Sequence, residues 1–264
     1  MPLPPIPRYN ILGTGISAAN LATACDAVLA AIGQRNPGYV CTADVRAVNL
    51  AAENPEFRGH LNGSLLTTPD GMPLVWLGRL MGHRTVERVY GPDLMLSLCS
   101  ATAGTSHAHF LYGGAPGVAG ALAARLRERF PSLRIAGTAT PPFRPLTSGE
   151  EAALVGQVAA VRPDIFWVGL GLPERERFMA KMLPRFEPMV MLGVGAAFDL
   201  LSGRVRQAPR WIQRSGFEWL FRLCTEPRRL GPRYLKTNPL FALRVLAQLT
   251  GLTKYPLEKS GAGL

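Results

Sequence analysis

Three short apolar runs in this chain each stop on a pair of glycines. His109–Tyr112 ends at Gly113-Gly114, Ile165–Val168 at Gly169-Leu-Gly171, and Met189–Leu192 at Gly193-Val-Gly195. Runs of this length, rich in β-formers and bounded by turn residues, read as strands. Two of them are followed by helical patterns, Val118–Phe130 and Pro173–Leu183. Strands alternating with helices predict an α/β chain with a largely parallel, Rossmann-like sheet flanked by helices, in which ligands sit at the carboxyl ends of the strands. The glycines there either make tight turns or let a backbone approach a phosphate or ribose closely. Their repetition at three strand ends favours a nucleotide crevice, with Gly113, Gly171 and Gly195 as candidates.

The same pattern extends toward the amino terminus. Tyr39–Thr42 and Ser64–Thr67 read as strands, and Val45–Glu53, Pro55–Leu61, Leu74–Met81 and Asp93–Cys99 read as helical. With 264 residues, one main core is expected. Beyond Gly203 the strand signals stop and tryptophans and arginines take over. The chain is therefore divided into an α/β body, 1–200, and a helical appendage, 201–264.

Charge follows the same division. Of the net +11, the last 64 residues hold twelve basic and three acidic side chains, a net of +9, while 1–200 hold 17 basic and 15 acidic groups. A nearly neutral body with a cationic tail predicts an anionic partner: lipid headgroups, a diphosphate or nucleic acid. Cys25, Cys41, Cys99 and Cys224 form no CxxC pair or metal spacing and read as reduced, mostly buried thiols of a cytoplasmic protein. His60, His83, His107 and His109 lack carboxylate or histidine partners at metal spacing, so no metal is expected. Met1–Pro7 has no signal-peptide pattern, and no apolar run approaches the roughly 20 residues that span a bilayer.

Eight ordered motifs together bring out a resemblance. Thr68-Pro-Asp-Gly-Met-Pro-Leu-Val-Trp76 and Arg88-Val-Tyr-Gly-Pro-Asp93 are followed by Phe-Leu-Tyr-Gly-Gly-Ala-Pro at 110–116. Val-Gly-Leu-Gly-Leu-Pro-Glu-Arg-Glu stands at 168–176, and Gly-Val-Gly-Ala-Ala-Phe-Asp-Leu-Leu-Ser-Gly at 193–203. Gln-Ala-Pro-Arg-Trp, Phe-Glu-Trp-Leu-Phe-Arg-Leu and Glu-Pro-Arg-Arg-Leu complete the set. In this order and spacing they resemble the WecG/TagA/CpsF glycosyltransferases over nearly the whole chain. The resemblance implies an inverting, metal-independent enzyme without a cofactor, using a UDP-sugar donor and an undecaprenyl-diphosphate-linked acceptor. The Pro-Asp-Gly-Met-Pro and Arg-Val-Tyr-Gly-Pro-Asp pair looks like the exopolysaccharide-assembly subgroup, including the xanthan-type glucosyltransferase.

Direct transfer needs a base for the acceptor hydroxyl. Asp70 matches the family's catalytic aspartate; from its neighbours alone it is also a residue that shapes a Pro-Asp-Gly turn. Arg88 matches a family arginine able to clamp a phosphate, and read alone it is also a surface ion-pair partner. Thr42 and Asp44 stand where the family has Thr-x-Asn, so an amide is replaced by a carboxylate. Pro173-Glu-Arg-Glu176 replaces Pro-Lys-Gln-Glu, putting Arg175 at a substrate-contacting glutamine position beside Glu176. Asp199 either contacts the nucleotide or caps a helix.

In the tail, Arg210, Arg214, Arg222, Arg228, Arg229 and Arg233 alternate with aromatic residues, which suits either a solvated face or an anionic bilayer surface and the acceptor diphosphate. Leu240, Phe241, Leu243, Val245, Leu246 and Leu249 are expected to form the apolar face of a helix with Pro239 in its first turn. Placement on the inner face of the cell membrane follows, and a homo-oligomer is compatible with the sequence. Two other readings compete. Gly13-Thr-Gly15-Ile-Ser-Ala18 after a short strand, Tyr9–Leu12, fits the dinucleotide fingerprint of an NAD-dependent oxidoreductase, and the cationic tail fits a nucleic-acid-binding module.

Overall fold

The chain enters the fold as an antiparallel hairpin, β1 (Arg8–Ile11) and β2 (Thr14–Ser17). The computed structural model describes residues 6–209, 211–212, 218–225 and 227–257, without the side chains at 218, 222, 225, 229, 230 and 233. A two-residue hairpin loop of type I′ needs positive φ at both central positions, and Leu12 (φ 51°) and Gly13 (φ 82°) provide it. Complete burial of the Leu12 side chain holds it in a conformation that a leucine rarely adopts. This geometry corrects the fingerprint reading of Gly13–Ala18. That motif requires a strand before the glycines and a helix after them, whereas Thr14–Ser17 is itself a strand and the next helix starts at Leu21.

That helix, α1 (Leu21–Gly33), is capped by Asn20, which exchanges hydrogen bonds with Thr23. The main sheet then begins at β3 (Gly38–Ala43). It continues through α2 (Val45–Glu53), α3 (Pro55–Asn62), β4 (Leu66–Pro69), α4 (Met72–Leu80), α5 (Gly91–Thr102), β5 (Ala108–Gly113) and α6 (Val118–Arg129). Next come β6 (Arg134–Ala139), α7 (Ser148–Val161), β7 (Ile165–Gly169), α8 (Glu174–Met182), β8 (Val190–Gly193) and α9 (Ala197–Leu201). All six strands run parallel in the order β4-β3-β8-β7-β5-β6. The Rossmann-like expectation holds. Connections from the neighbours β5 and β7 leave in opposite directions, toward β6 and toward β8, as in doubly wound sheets.

Both faces of the sheet are covered, which is why its inner strands are apolar throughout rather than alternating. Leu111, Trp167 and Leu192 pack under α1, α5, α6 and α9. Phe110, Phe166 and Met191 pack under α3, α7 and α8. A third cluster lies beyond the β4 side and joins the hairpin to α2 and α4 through Tyr9, Ile11, Val48 and Leu74.

After α9 come α10 (Glu218–Thr225) and α11 (Pro227–Leu249). The helix expected from Pro239 instead starts at Pro227 and runs through both Pro232 and Pro239. Its apolar residues also divide between two faces: Phe241 and Val245 are buried in the third cluster, while Leu243, Leu246 and Leu249 are exposed. Gln248 ties α11 to the hairpin, accepting from the Leu12 amide at 2.8 Å and donating to the Asn10 carbonyl at 3.1 Å. Arg244 adds a 2.7 Å ion pair with Glu53 on α2. Cys25, Cys41 and Cys99 are buried free thiols and Cys224 is exposed. No helix among the described residues is long and apolar enough to cross a membrane.

Candidate active site

A cleft of about 800 Å³ opens at the carboxyl ends of β3, β4, β7 and β8. Its floor is built from residues at and just beyond the ends of those strands: Thr42, Gly169–Leu172 and Val194–Ala197. The sheet thus delivers to one place three segments widely separated in the chain, at the position where open α/β sheets hold ligands.

Asp70 leaves the end of β4 with its amide donating to the Ala43 carbonyl at 2.8 Å, which anchors the loop to β3. The segment after α4 returns alongside β4, where the Val89 amide donates to the Pro69 carbonyl at 2.9 Å. That return sets Arg88 against Asp70. Its Nε donates to the Asp70 carbonyl at 2.5 Å and its Nη2 lies 3.4 Å from Asp70 Oδ1. The guanidinium also sits 4.1 Å above the Tyr90 ring. Asp70 and Arg88, 18 residues apart, therefore form one polar unit in the cleft wall.

A second unit lies in the floor itself, where Arg175 lines the cleft. Arg175, only 6% exposed, donates from Nη1 to Thr42 Oγ1 at 3.1 Å and from Nη2 to the Thr42 carbonyl at 2.8 Å. Its Nε donates to Glu176 Oε1 at 2.8 Å, and Nη2 contacts the same oxygen. Burial would lower the guanidinium pKa; the Glu176 charge, with Cys41 and Asp44, outweighs it and raises the pKa above its ordinary value. Thr42 Oγ1 in turn donates to the Gly193 carbonyl at 2.9 Å, fastening β3 to β8. Glu176 is wholly buried, and its Oε2 has no hydrogen-bond partner among the described residues.

Asp44 caps α2, with Oδ1 accepting from the Ala47 amide at 2.9 Å, yet it remains exposed at the cleft beside Gly71. The strand-end glycines serve different ends. Gly171 has open space where a side chain would stand and lines the cleft. Gly195, with φ 49°, also lines it, and a Cβ there would lie 3.0 Å from Arg175 Nη1. Gly113 instead abuts the Gly169 backbone, whose carbonyl carbon would lie 2.6 Å from any Cβ at that position, and it does not line the cleft. Asp199 lies on the short α9 at the cleft edge, with Oδ1 3.8 Å from Arg204.

Of the tail arginines, Arg210 and Arg214 lie outside the described residues, as do the side chains of Arg222, Arg229 and Arg233. Arg228 is exposed and does not line the cleft. Among the described residues no three His, Cys, Asp or Glu side chains are gathered as metal ligands would be.

Sequence reasoning missed several cleft residues. Arg46, in the first turn of α2, lines the cleft and donates to the Leu172 carbonyl at 3.1 Å. Met72, Trp76, Leu77 and Leu80 form an apolar lip along α4, and Trp219, Tyr234 and Phe241 face the cleft from α10 and α11. The i, i+4, i+8 spacing of Met72, Trp76 and Leu80 was a readable signal for one face of that helix; the contribution of α10 and α11 was not readable locally.

The model of the glycosyl transferase WecG/TagA/CpsF family matches residues 9–255. An N-acetylglucosaminyldiphosphoundecaprenol N-acetyl-beta-D-mannosaminyltransferase of Bacillus spizizenii (strain W23) is 30% identical over 213 residues, 81% of this chain and 80% of that protein. A protein of the same description from Bacillus subtilis (strain 168) is 28% identical over 217 residues, 82% of each chain.

Proposed function

The chain belongs to the WecG/TagA/CpsF family of glycosyltransferases, and from that membership we propose that it transfers a hexosyl or N-acetylhexosaminyl residue from a UDP-sugar to a polyprenyl-diphosphate-linked sugar. N-acetylmannosamine, named in both relatives, and glucose are the donor sugars of choice. The product enters bacterial surface or exopolysaccharide synthesis. The protein works at the inner face of the cell membrane, held peripherally by its cationic tail.

One observation carries the reading: a carboxylate and a guanidinium, Asp70 and Arg88, joined side by side in the wall of a cleft over parallel strand ends. Asp70 takes the proton of the acceptor hydroxyl, whose oxygen attacks the anomeric carbon from the face opposite the diphosphate. The bond to the diphosphate breaks with inversion, and the nucleoside diphosphate leaves with its electron pair. Charge growing on that leaving group needs fixed positive partners. Proton uptake neutralises the Asp70 carboxylate as that charge grows, so the adjacent Arg88 guanidinium serves the departing phosphate. Thr42, Gly171, Gly195 and Asp199 form the nucleotide side of the cleft. Asp44 offers its uncapped oxygen to a donor hydroxyl, where the family's amide would have donated instead. Arg175 acts through Thr42, which it holds in place.

A panel of UDP-sugars tested against undecaprenyl-diphosphate-linked N-acetylglucosamine and glucose checks the reading. Transfer from at least one donor, lost in Asp70→Asn, is the expected result. Absence of transfer from every donor to both acceptors would overturn it.

A further inference from the structure

Helix α4 starts two residues after Asp70 and carries Met72, Trp76, Leu77 and Leu80 along the cleft. A folded protein seldom leaves such a row open to water without a use for it. Trp76 is 53% exposed and Leu80 71% exposed. Across the opening stand Trp219 and Tyr234, packed edge to face with ring centroids 6.1 Å apart. The cleft is therefore polar where the strands end, apolar along α4, and largely apolar on the opposite wall, where Thr237 and Asn238 interrupt the aromatic residues.

The geometry points to this apolar groove as the seat of the acceptor's polyprenyl chain, an assignment that rests on the proposed function above. An acceptor of that class has two unlike ends joined by a diphosphate. If its sugar hydroxyl meets Asp70, the lipid must leave the cleft along one of its walls, and the wall that begins at Asp70 is the apolar one. From Met72 to Leu80 the lip runs about 12 Å at the usual helical rise, a length that covers the first isoprene units and leaves the remainder to the bilayer. Apolar surface on both sides removes those units from water.

The test compares two acceptors with the same sugar diphosphate, one on an undecaprenyl chain and one on a short water-soluble alkyl chain, in detergent micelles so that no bilayer is present. The variant is Trp76→Ala/Leu80→Ser, both positions being exposed, with its thermal midpoint measured to verify folding. The expected result is a fall of about tenfold in the ratio of long-chain to short-chain kcat/KM, corresponding to about 1.4 kcal/mol. An unchanged ratio overturns the assignment. So does an unchanged ratio in micelles accompanied by weaker binding to anionic vesicles free of acceptor, which gives the lip to the bilayer. If the wild type turns over neither acceptor, the glycosyl-transfer reading fails and the groove is judged on binding of undecaprenyl diphosphate alone. Retention by the wild type and loss by the variant then support the groove, and equal retention removes it.

Discussion

Asp70 is gripped through both its carbonyl and its carboxylate by Arg88, so its position does not depend on a ligand. Replacing it with asparagine keeps the shape and removes the proposed base. Steady-state kinetics of Asp70→Asn are expected to show kcat lower by about 10²–10⁴-fold, the usual worth of a general base, with an unchanged melting temperature. Arg175 differs in kind because it is almost wholly buried in the floor and pairs with a wholly buried carboxylate. Removing one partner of such a pair strands the other charge and costs about 3–5 kcal/mol. Arg175→Gln is expected to lose stability on that scale in urea titration, and Arg175→Gln/Glu176→Gln to recover most of it. A single variant as stable as the wild type would show that the pair does not hold the floor together.

Among the elements, β5, β7 and α5 share a buried polar chain that fixes their relative height. Trp167 Nε1 donates to His109 Nδ1 at 2.9 Å, and His109 Nε2 lies 2.8 Å from Thr102 Oγ1, which donates to the Leu98 carbonyl at 2.6 Å. Nδ1 accepts, so the neutral ring carries its proton on Nε2 and every member is satisfied. Burial lowers the His109 pKa to about 4, with Asp164 opposing and His107 adding to the shift. A lowered histidine pKa means that the unfolded chain takes up the proton first. The contribution is fully present above about pH 6.5 and is lost as pH falls toward 4, by about 3 kcal/mol. Urea titrations between pH 7 and 4 are expected to show this slope, and His109→Gln to flatten it.

At the scale of the molecule, α11 closes the third core cluster and supplies one wall of the cleft. Phe241, 6% exposed, lies in that cluster with Tyr9, Ile11 and Val48. Phe241→Ala is expected to cost about 3–5 kcal/mol, a loss that a freely hanging appendage would not produce. Deletion from Ser202 onward is expected to abolish vesicle binding and turnover of the lipid-linked acceptor together. A truncated chain that keeps both would remove the proposed role of the tail.

The chain's local pattern determined its class. Short apolar runs ending in glycine suit strands covered on both faces, and the ordered motifs around Thr68–Trp76 and Arg88–Asp93 singled out Asp70 and Arg88, which the structure brings together in the cleft wall. Locally written signals went unread too, such as the Thr147–Glu150 capping box of α7. β6, an edge strand with half-exposed residues, offered no alternation to read. Other features had no local signal at all. Gly13-Thr-Gly15 has the spacing of a nucleotide loop, but strand pairing between Arg8 and Ser17 makes it a hairpin. The pairing of Arg175 with Thr42, and the closing of the cleft by Trp219, Tyr234 and Phe241, join residues far apart in the chain. Such contacts depend on how the helices pack on the sheet, and packing is a property of the assembled elements rather than of any one of them.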